Sequence, residues 1–156
     1  MVKQDMRKQE SAPEIEAVLK LEEFLPYRLA RAAEIMSREF ADIYKKHTGM
    51  TRPEWRAFAT IGQFGTVTAT FIGQHSSMHK TKVSRAVASL EQRGWLVRTS
   101  DGSDRRIEHL ALTKKGWRVY AALIEEARKF EADLLQALGN GPSNALMSGL
   151  DHLEQR

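Results

Sequence analysis

The chain is 156 residues long, 42% hydrophobic and 28% charged, and it contains no cysteine. That length suits one compact domain with helical extensions and enough apolar material for a core, and the lack of cysteine excludes disulfides, thiolate metal sites and thiol-based redox sensing. The formal net charge of +4 is unevenly spread: residues 68–118 hold ten Lys/Arg against four acids, a local +6, as in a polyanion-binding module or a solvated basic face. No run approaches the ~20 apolar residues of a membrane helix, and residues 1–10 are too charged for a signal peptide, so a cytoplasmic protein without membrane contact is expected.

In chain order, residues 1–13 are polar and are expected to form a flexible N-terminus. Helical periodicity starts near Glu14 and strengthens from Phe24, where Leu25, Leu29, Ala32, Met36, Phe40 and Ile43 share one face. This predicts a helix over 14–48, ended by Gly49. Thr51-Arg52-Pro53-Glu54 restarts the helix: Thr51 suits an N-cap, Pro53 suits the first turn and Glu54 completes a capping box. The helix that follows carries Trp55, Phe58, Ala59 and Gly62 and stops at Phe64-Gly65. Residues 68–74 read as a short helix with Phe71 and Ile72 turned inward.

After a break at His75-Ser76-Ser77, a helix runs over 79–92 and closes at Gly94. Residues 95–99 and 107–112 have strand character and flank a polar turn that holds Gly102, Arg105 and Arg106. Leu110 and Leu112 alternate with His109 and Ala111, as a strand with one buried face requires. A long helix opens at Thr113, with Tyr120, Leu123, Ala127, Phe130, Leu134 and Ala137 as its apolar seam. The spacings of three and four alternate, the rhythm of a helix packed lengthwise against another helix. Gly139-Asn140-Gly141-Pro142 breaks it, and 143–154 forms a weaker last helix with Leu146, Leu150 and Leu153.

The expected fold is therefore mostly α (α+β). A winged helix-turn-helix DNA-binding domain covers 50–113, between an N-terminal dimerisation helix (14–48) and C-terminal dimerisation helices (114–156). A winged helix by itself needs neither flanking stripe, and two such stripes call for a second copy.

The helix over 79–92 has the composition of a recognition helix. Val83, Val87 and Leu90 form a narrow inward stripe, while Thr81, Ser84, Arg85 and Ala88 face away, with Lys80 and Lys82 at the start. Short side chains let a backbone enter the major groove, and the cations reach guanine acceptors or phosphates. An amphipathic surface helix with solvated lysines would read the same without its context. The basic hairpin supplies that context: Arg105 and Arg106 sit just past its tip, where an arginine can enter a narrow minor groove, and Asp101 or Asp104 can hold a guanidinium in place.

These residues carry a resemblance. Met78-His79-Lys80-Thr81-Lys82-Val83-Ser84-Arg85 and Leu90-Glu91-Gln92-Arg93-Gly94-Trp95-Leu96 resemble the recognition helix and its exit in the MarR family. Arg98-x-x-Asp101-x-x-Asp104-Arg105-Arg106-x-x-x-Leu110-x-Leu112-Thr113-x-x-Gly116 is similar to that family's wing signature. The likeness extends over about 21–138. It implies a triangular homodimer with intertwined first, fifth and sixth helices, Arg106 in the minor groove oriented by Asp104, and Thr81, Lys82 and Arg85 facing bases. It also implies phosphate contacts by Ser77 and Ser84. His79 departs from the family pattern, which often has an aspartate N-cap there.

Family members usually leave DNA when a small molecule binds between the dimerisation helices and the reading head. Phe24, Tyr27, Arg28, Arg31, Trp55 and Phe58 lie on segments that would line such a cleft, and aromatic walls with arginines suit an aromatic carboxylate or its CoA thioester. Trp55 and Phe58 could equally be core, and the arginines solvated. Residues 24–29 also look like the opening of members linked to aromatic-acid catabolism. The expected function is a DNA-binding transcriptional regulator, a repressor on a palindromic operator. The other reading is a constitutive or architectural DNA-binding protein without a ligand switch. Catalysis is not expected, since the chain has no nucleophile elbow, phosphate loop or HExxH. Neither a cofactor nor a metal is expected, because the five histidines have no ligand spacing.

Overall fold

A computed structural model describes residues 18–156. The expectation of a flexible 1–13, and the part of the first helix over 14–17, lie outside the described residues. The elements are α1 (Leu25–Thr48), α2 (Arg52–Phe64), α3 (Ala69–His75), α4 (Lys80–Gln92), β1 (Leu96–Ser100), β2 (Glu108–Leu112), α5 (Lys114–Leu138) and α6 (Asn140–Glu154). The chain is mostly helical with one two-stranded antiparallel sheet, a winged helix-turn-helix with long flanking helices. It divides into two units, one ending at Met36 and the other running from Ser37 to Arg156.

In the first unit the helix starts later than the periodicity predicts. Residues 18–24 are not helical; a turn occupies 21–23, and α1 opens at Leu25 with Pro26 in its first turn. A helix continuing from residue 14 would drive the Pro26 ring against the Glu22 carbonyl and lose a hydrogen bond there, so the proline selects a helix start instead. Arg31 lies 5.9 Å over the Tyr27 ring. Val18, Leu19, Phe24, Leu25 and Ile35 are exposed.

The core of the second unit is built where α2, α3, α4 and the sheet converge. Phe58, Ile61, Ile72, Val83, Val87, Leu90 and Leu110 are completely or almost completely buried. Of the two residues expected to point inward from α3, only Ile72 does. Phe71 is 37% exposed and rests edge-on against Phe64 at 5.0 Å, because a helix of seven residues presents too narrow an inner face for both.

The α2 restart forms as its sequence dictates. The Glu54 carboxylate accepts from the Thr51 N–H at 2.6 Å, and the Thr51 hydroxyl accepts from the Glu54 N–H at 3.5 Å. Glu54 is 93% buried, with Arg93 at 3.6 Å. Arg93 also donates to the carbonyls of Thr48 (2.6 Å) and Gly49 (3.3 Å). One guanidinium thus ties the end of α4 to the α1–α2 junction. Burial alone would raise the Glu54 pKa, but hydrogen bonds from Ser89 and Thr51 and the charge of Arg93 outweigh it and hold the carboxyl below its ordinary value. A depressed folded-state pKa means that its stabilisation is present above the unfolded value, about 4.3, and is lost as pH falls through the folded value. Melting temperature should therefore drop more steeply with acid in the wild type than in Glu54→Gln, and parallel curves would refute the assignment.

β1 and β2 pair from Leu96↔Leu112 to Ser100↔Glu108, and Val67 adds one antiparallel bridge to Leu110. Leu110 and Leu112 are buried, as their alternation predicts. Gly116, in the first turn of α5, passes so close to the Trp95 carbonyl that a β-carbon would overlap it. The Thr-x-x-Gly spacing is thus steric: Thr113 caps the Gly116 N–H at 3.0 Å, and glycine lets the helix leave tight against the sheet.

The expected α5 seam divides in two. Leu123 is 1% exposed in this chain's own core, and Tyr120 packs over Gly62 and 6.0 Å from Phe58. Further along, Ala127, Phe130 and Leu134 are only partly buried and Ala137 is exposed, Phe130 meeting Phe40 at 5.3 Å. The break before α6 is also shorter than the composition indicates. Gly139 alone carries it at φ +80°, and α6 starts at Asn140 with Pro142 in its first turn, where a missing N–H costs nothing. Leu146, Met147 and Leu153 of α6 are exposed. Among the described residues no helix is long and apolar enough to cross a membrane.

Candidate nucleic-acid interface

The turn between α3 and α4 sets the angle of the reading helix. Ser77 takes a left-handed backbone, φ +52°, and the Met78 N–H donates to the Gly73 carbonyl at 2.9 Å. α4 then opens at Lys80, with His79 as an N-cap that makes no side-chain hydrogen bond. The first turn has no acid and carries Lys80 and Lys82, the reverse of what the helix macrodipole favours. For the isolated protein this arrangement is unfavourable; beside a polyanion both the free N–H groups and the lysines gain partners.

Val83, Ala86, Val87 and Leu90 anchor the inner face of α4. Lys80, Thr81, Lys82, Ser84 and Arg85 are all exposed, as is Ser77. Every α4 residue selected from the sequence as DNA-facing therefore lies on its open side.

At the wing, carboxylates shape the backbone and leave the arginines outside. Asp101 Oδ1 accepts from the Ser103 N–H (2.8 Å), the Ser103 hydroxyl (2.6 Å) and the Asp104 N–H (3.0 Å). Its Oδ2 meets His109 Nε2 at 2.8 Å. The hydrogen bonds from Ser103 and His109 hold the Asp101 carboxyl well below the usual carboxylate range. Asp104 does not hold the Arg106 guanidinium as the sequence suggested; its Oδ1 accepts from the Arg106 backbone N–H at 2.9 Å. The reason is reach: an aspartate two residues ahead forms an Asx-type turn with the nearer amide. Arg105 and Arg106 remain exposed.

Two wing contacts escape sequence inspection. One is the Asp101–His109 pair, and the other is Arg98, which donates to Glu91 of α4 at 3.0 Å and to Glu108 of β2 at 2.8 Å. The Asp-Gly-Ser-Asp run signals an Asx turn, but only the hairpin register brings His109 across. Asp101→Ala should loosen the tip and weaken DNA binding on the order of tenfold with little change in melting temperature. Unchanged affinity would show that tip order is irrelevant.

The residues offered for an effector cleft are divided between the two units. Phe24, Tyr27, Arg28 and Arg31 belong to the first unit, Trp55 and Phe58 to the second. Phe58 is fully buried between Trp95 (5.8 Å) and Tyr120 (6.0 Å), so it serves the core. Trp55 is half-buried and stacks on Tyr44 at 5.3 Å. Among the described residues no three His, Cys, Asp or Glu are grouped to hold a metal.

Residues 48–107 match the model of the MarR family. YwoH, an HTH-type transcriptional regulator of Bacillus subtilis (strain 168), is 28% identical over 87 residues, which span 56% of this chain and 63% of that protein. The fold superposes on a MarR family transcriptional regulator from Silicibacter pomeroyi DSS-3 with a TM-score of 0.71, 27% identity, and coverage of 87% of this chain and 99% of that one. It superposes on NadR, solved in complex with 4-hydroxyphenylacetate, with a TM-score of 0.71, 20% identity, and coverage of 88% and 96%.

Proposed function

We propose that the chain is a MarR-type transcriptional regulator, as the family match over residues 48–107 and the fold support, and that it binds a roughly palindromic DNA duplex as a homodimer and represses transcription until a small molecule releases it. The observation that carries this reading is the open side of α4: Thr81, Ser84 and Arg85 beside two first-turn lysines, in one unit with a wing that projects Arg105 and Arg106. Short polar side chains admit the helix to the major groove, and the wing arginines suit the adjacent minor groove.

The dimer reading is supported by apolar surface that the described residues leave open: Ala127 and Leu134, partly exposed on α5, and Leu146, Met147 and Leu153, exposed on α6. With two-fold symmetry, recognition helices about 34 Å apart would read successive turns of one duplex face. For the effector, the aromatic rings and arginines of the first unit (Phe24, Tyr27, Arg28 and Arg31) favour an aromatic carboxylate or its CoA thioester, and the 4-hydroxyphenylacetate held by NadR has that chemistry.

Footprinting on the DNA flanking the gene should give a protected site with two-fold symmetry; absence of any protected duplex would overturn the reading. A thermal-shift screen with aromatic carboxylates and acyl-CoA thioesters tests the switch. If none stabilises the protein or releases the duplex, the chain is a constitutive DNA-binding protein.

A further inference from the structure

α4 lies between two clefts, and their linings divide the helix into distinct faces. On one flank, Met78, His79 and Lys82 border a cleft of about 370 Å³ together with Ser77 and with Arg52 and Arg56 at the start of α2. On the other, Lys80, Val83, Ser84 and Val87 border a groove of about 560 Å³ shared with α3 and with Arg98 and Glu108 of the wing. Between the two runs a strip of Thr81, Arg85 and Ala88, all exposed, at the i, i+4, i+7 spacing of one helix line. A helix seated in the major groove turns such an outermost strip toward the base edges and its flanks toward the sugar–phosphate walls.

The first cleft is built for an anion. Arg52, Arg56, Lys82 and His79 reach it from two helices, and no carboxylate lines it. Arg56 and Lys82 are exposed, whereas the Arg52 side chain is held beside the Tyr44 hydroxyl. The uncapped start of α4 adds donors at the same place. We propose that this cleft is a phosphodiester site that clamps the DNA backbone at the edge of the major groove, with Arg52, Arg56 and Lys82 as its charged ligands. Lys82 then belongs to the backbone clamp, and base reading falls to Thr81 and Arg85. The assignment rests on the DNA-binding reading above, and it adds two α2 arginines that no recognition-helix motif contains.

The test compares wild type, Arg56→Gln, Lys82→Gln and the double variant on the footprinted duplex and on a duplex of scrambled sequence. Both positions are exposed, so melting temperatures should stay at the wild-type value. Affinity is measured between about 50 and about 200 mM salt, where each lost phosphate contact lowers the slope of log affinity against log salt by about 0.9. The expected result is that reduction, with the same fold-loss on both duplexes. Replacing the phosphates at the groove edge by neutral methylphosphonates should weaken the wild type more than the double variant, which retains only Arg52 of the three charged ligands.

An unchanged slope with a loss confined to the footprinted duplex makes Lys82 a base reader and overturns the clamp. An unchanged slope, with inorganic phosphate raising the melting temperature of the wild type but not of the double variant, assigns the cleft to a free anion and also overturns it. If the wild type binds duplexes and Arg106→Ala weakens that binding while the double variant matches the wild type, the clamp alone fails. If the wild type binds neither duplex, the DNA-binding reading itself falls.

Discussion

Leu123→Asp should leave no folded protein to assay, whereas Leu134→Asp should leave a folded chain that no longer dimerises. The two leucines belong to one heptad seam in the sequence, yet they have different neighbours. Leu123 is 1% exposed and packed in the core of its own chain. A carboxylate there is buried with no cation offered to it and the leucine's packing is lost as well, together about 3–5 kcal/mol or more. That is a large share of the 5–15 kcal/mol that holds a domain folded. Leu134 lies three turns further along α5 and is partly exposed in the single chain.

A charge at Leu134 acts on the proposed partner surface, and two-fold symmetry counts it twice, for about 2–4 kcal/mol per copy. Circular dichroism should retain helix in Leu134→Asp and lose it in Leu123→Asp, and sedimentation should give monomers for the first. Dimeric Leu134→Asp protein would place the partner surface elsewhere. Folded Leu123→Asp protein would contradict the packing described here.

Arg106→Ala should weaken operator binding strongly while leaving melting temperature and oligomeric state unchanged. The side chain is exposed, and its backbone, not its guanidinium, is held by Asp104. Its removal therefore costs the free protein little. A groove-inserted arginine contributes about 1–3 kcal/mol, and a dimer loses both wings, so affinity should fall by about 2–6 kcal/mol in all. The loss should exceed that of Asp101→Ala, which loosens the tip but keeps both of its arginines. Fluorescence anisotropy on the footprinted duplex measures both. Wild-type affinity in Arg106→Ala would remove the wing from the interface.

How much of this was legible beforehand varied with the range of the interactions concerned. The Thr51–Glu54 capping box, the Thr113 cap, the Gly94 stop and the buried alternation of Leu110 and Leu112 depend on neighbours a few residues away. Each follows from residue order alone. The exposed series on α4 was legible for the same reason, since helical periodicity assigns its faces without knowledge of a partner. Pro26 marks the start of α1 in the same local way, although the apolar stripe alone does not show it.

What sequence alone determined is the element order, the winged helix, its basic character and the residues on the open side of the reading helix. Only the tertiary structure decided which half of the α5 seam is already satisfied, that Phe58 serves the core, and that Asp104 holds a backbone amide. It also decided that Arg93, 39 residues after Glu54, pins α4 to the α1–α2 junction, and that Arg52 and Arg56 stand across a cleft from Lys82. Periodicity states which face of a helix is apolar or charged, but not what lies opposite. That depends on packing between segments far apart in the chain, where the same leucine is core against one neighbour and open surface without it.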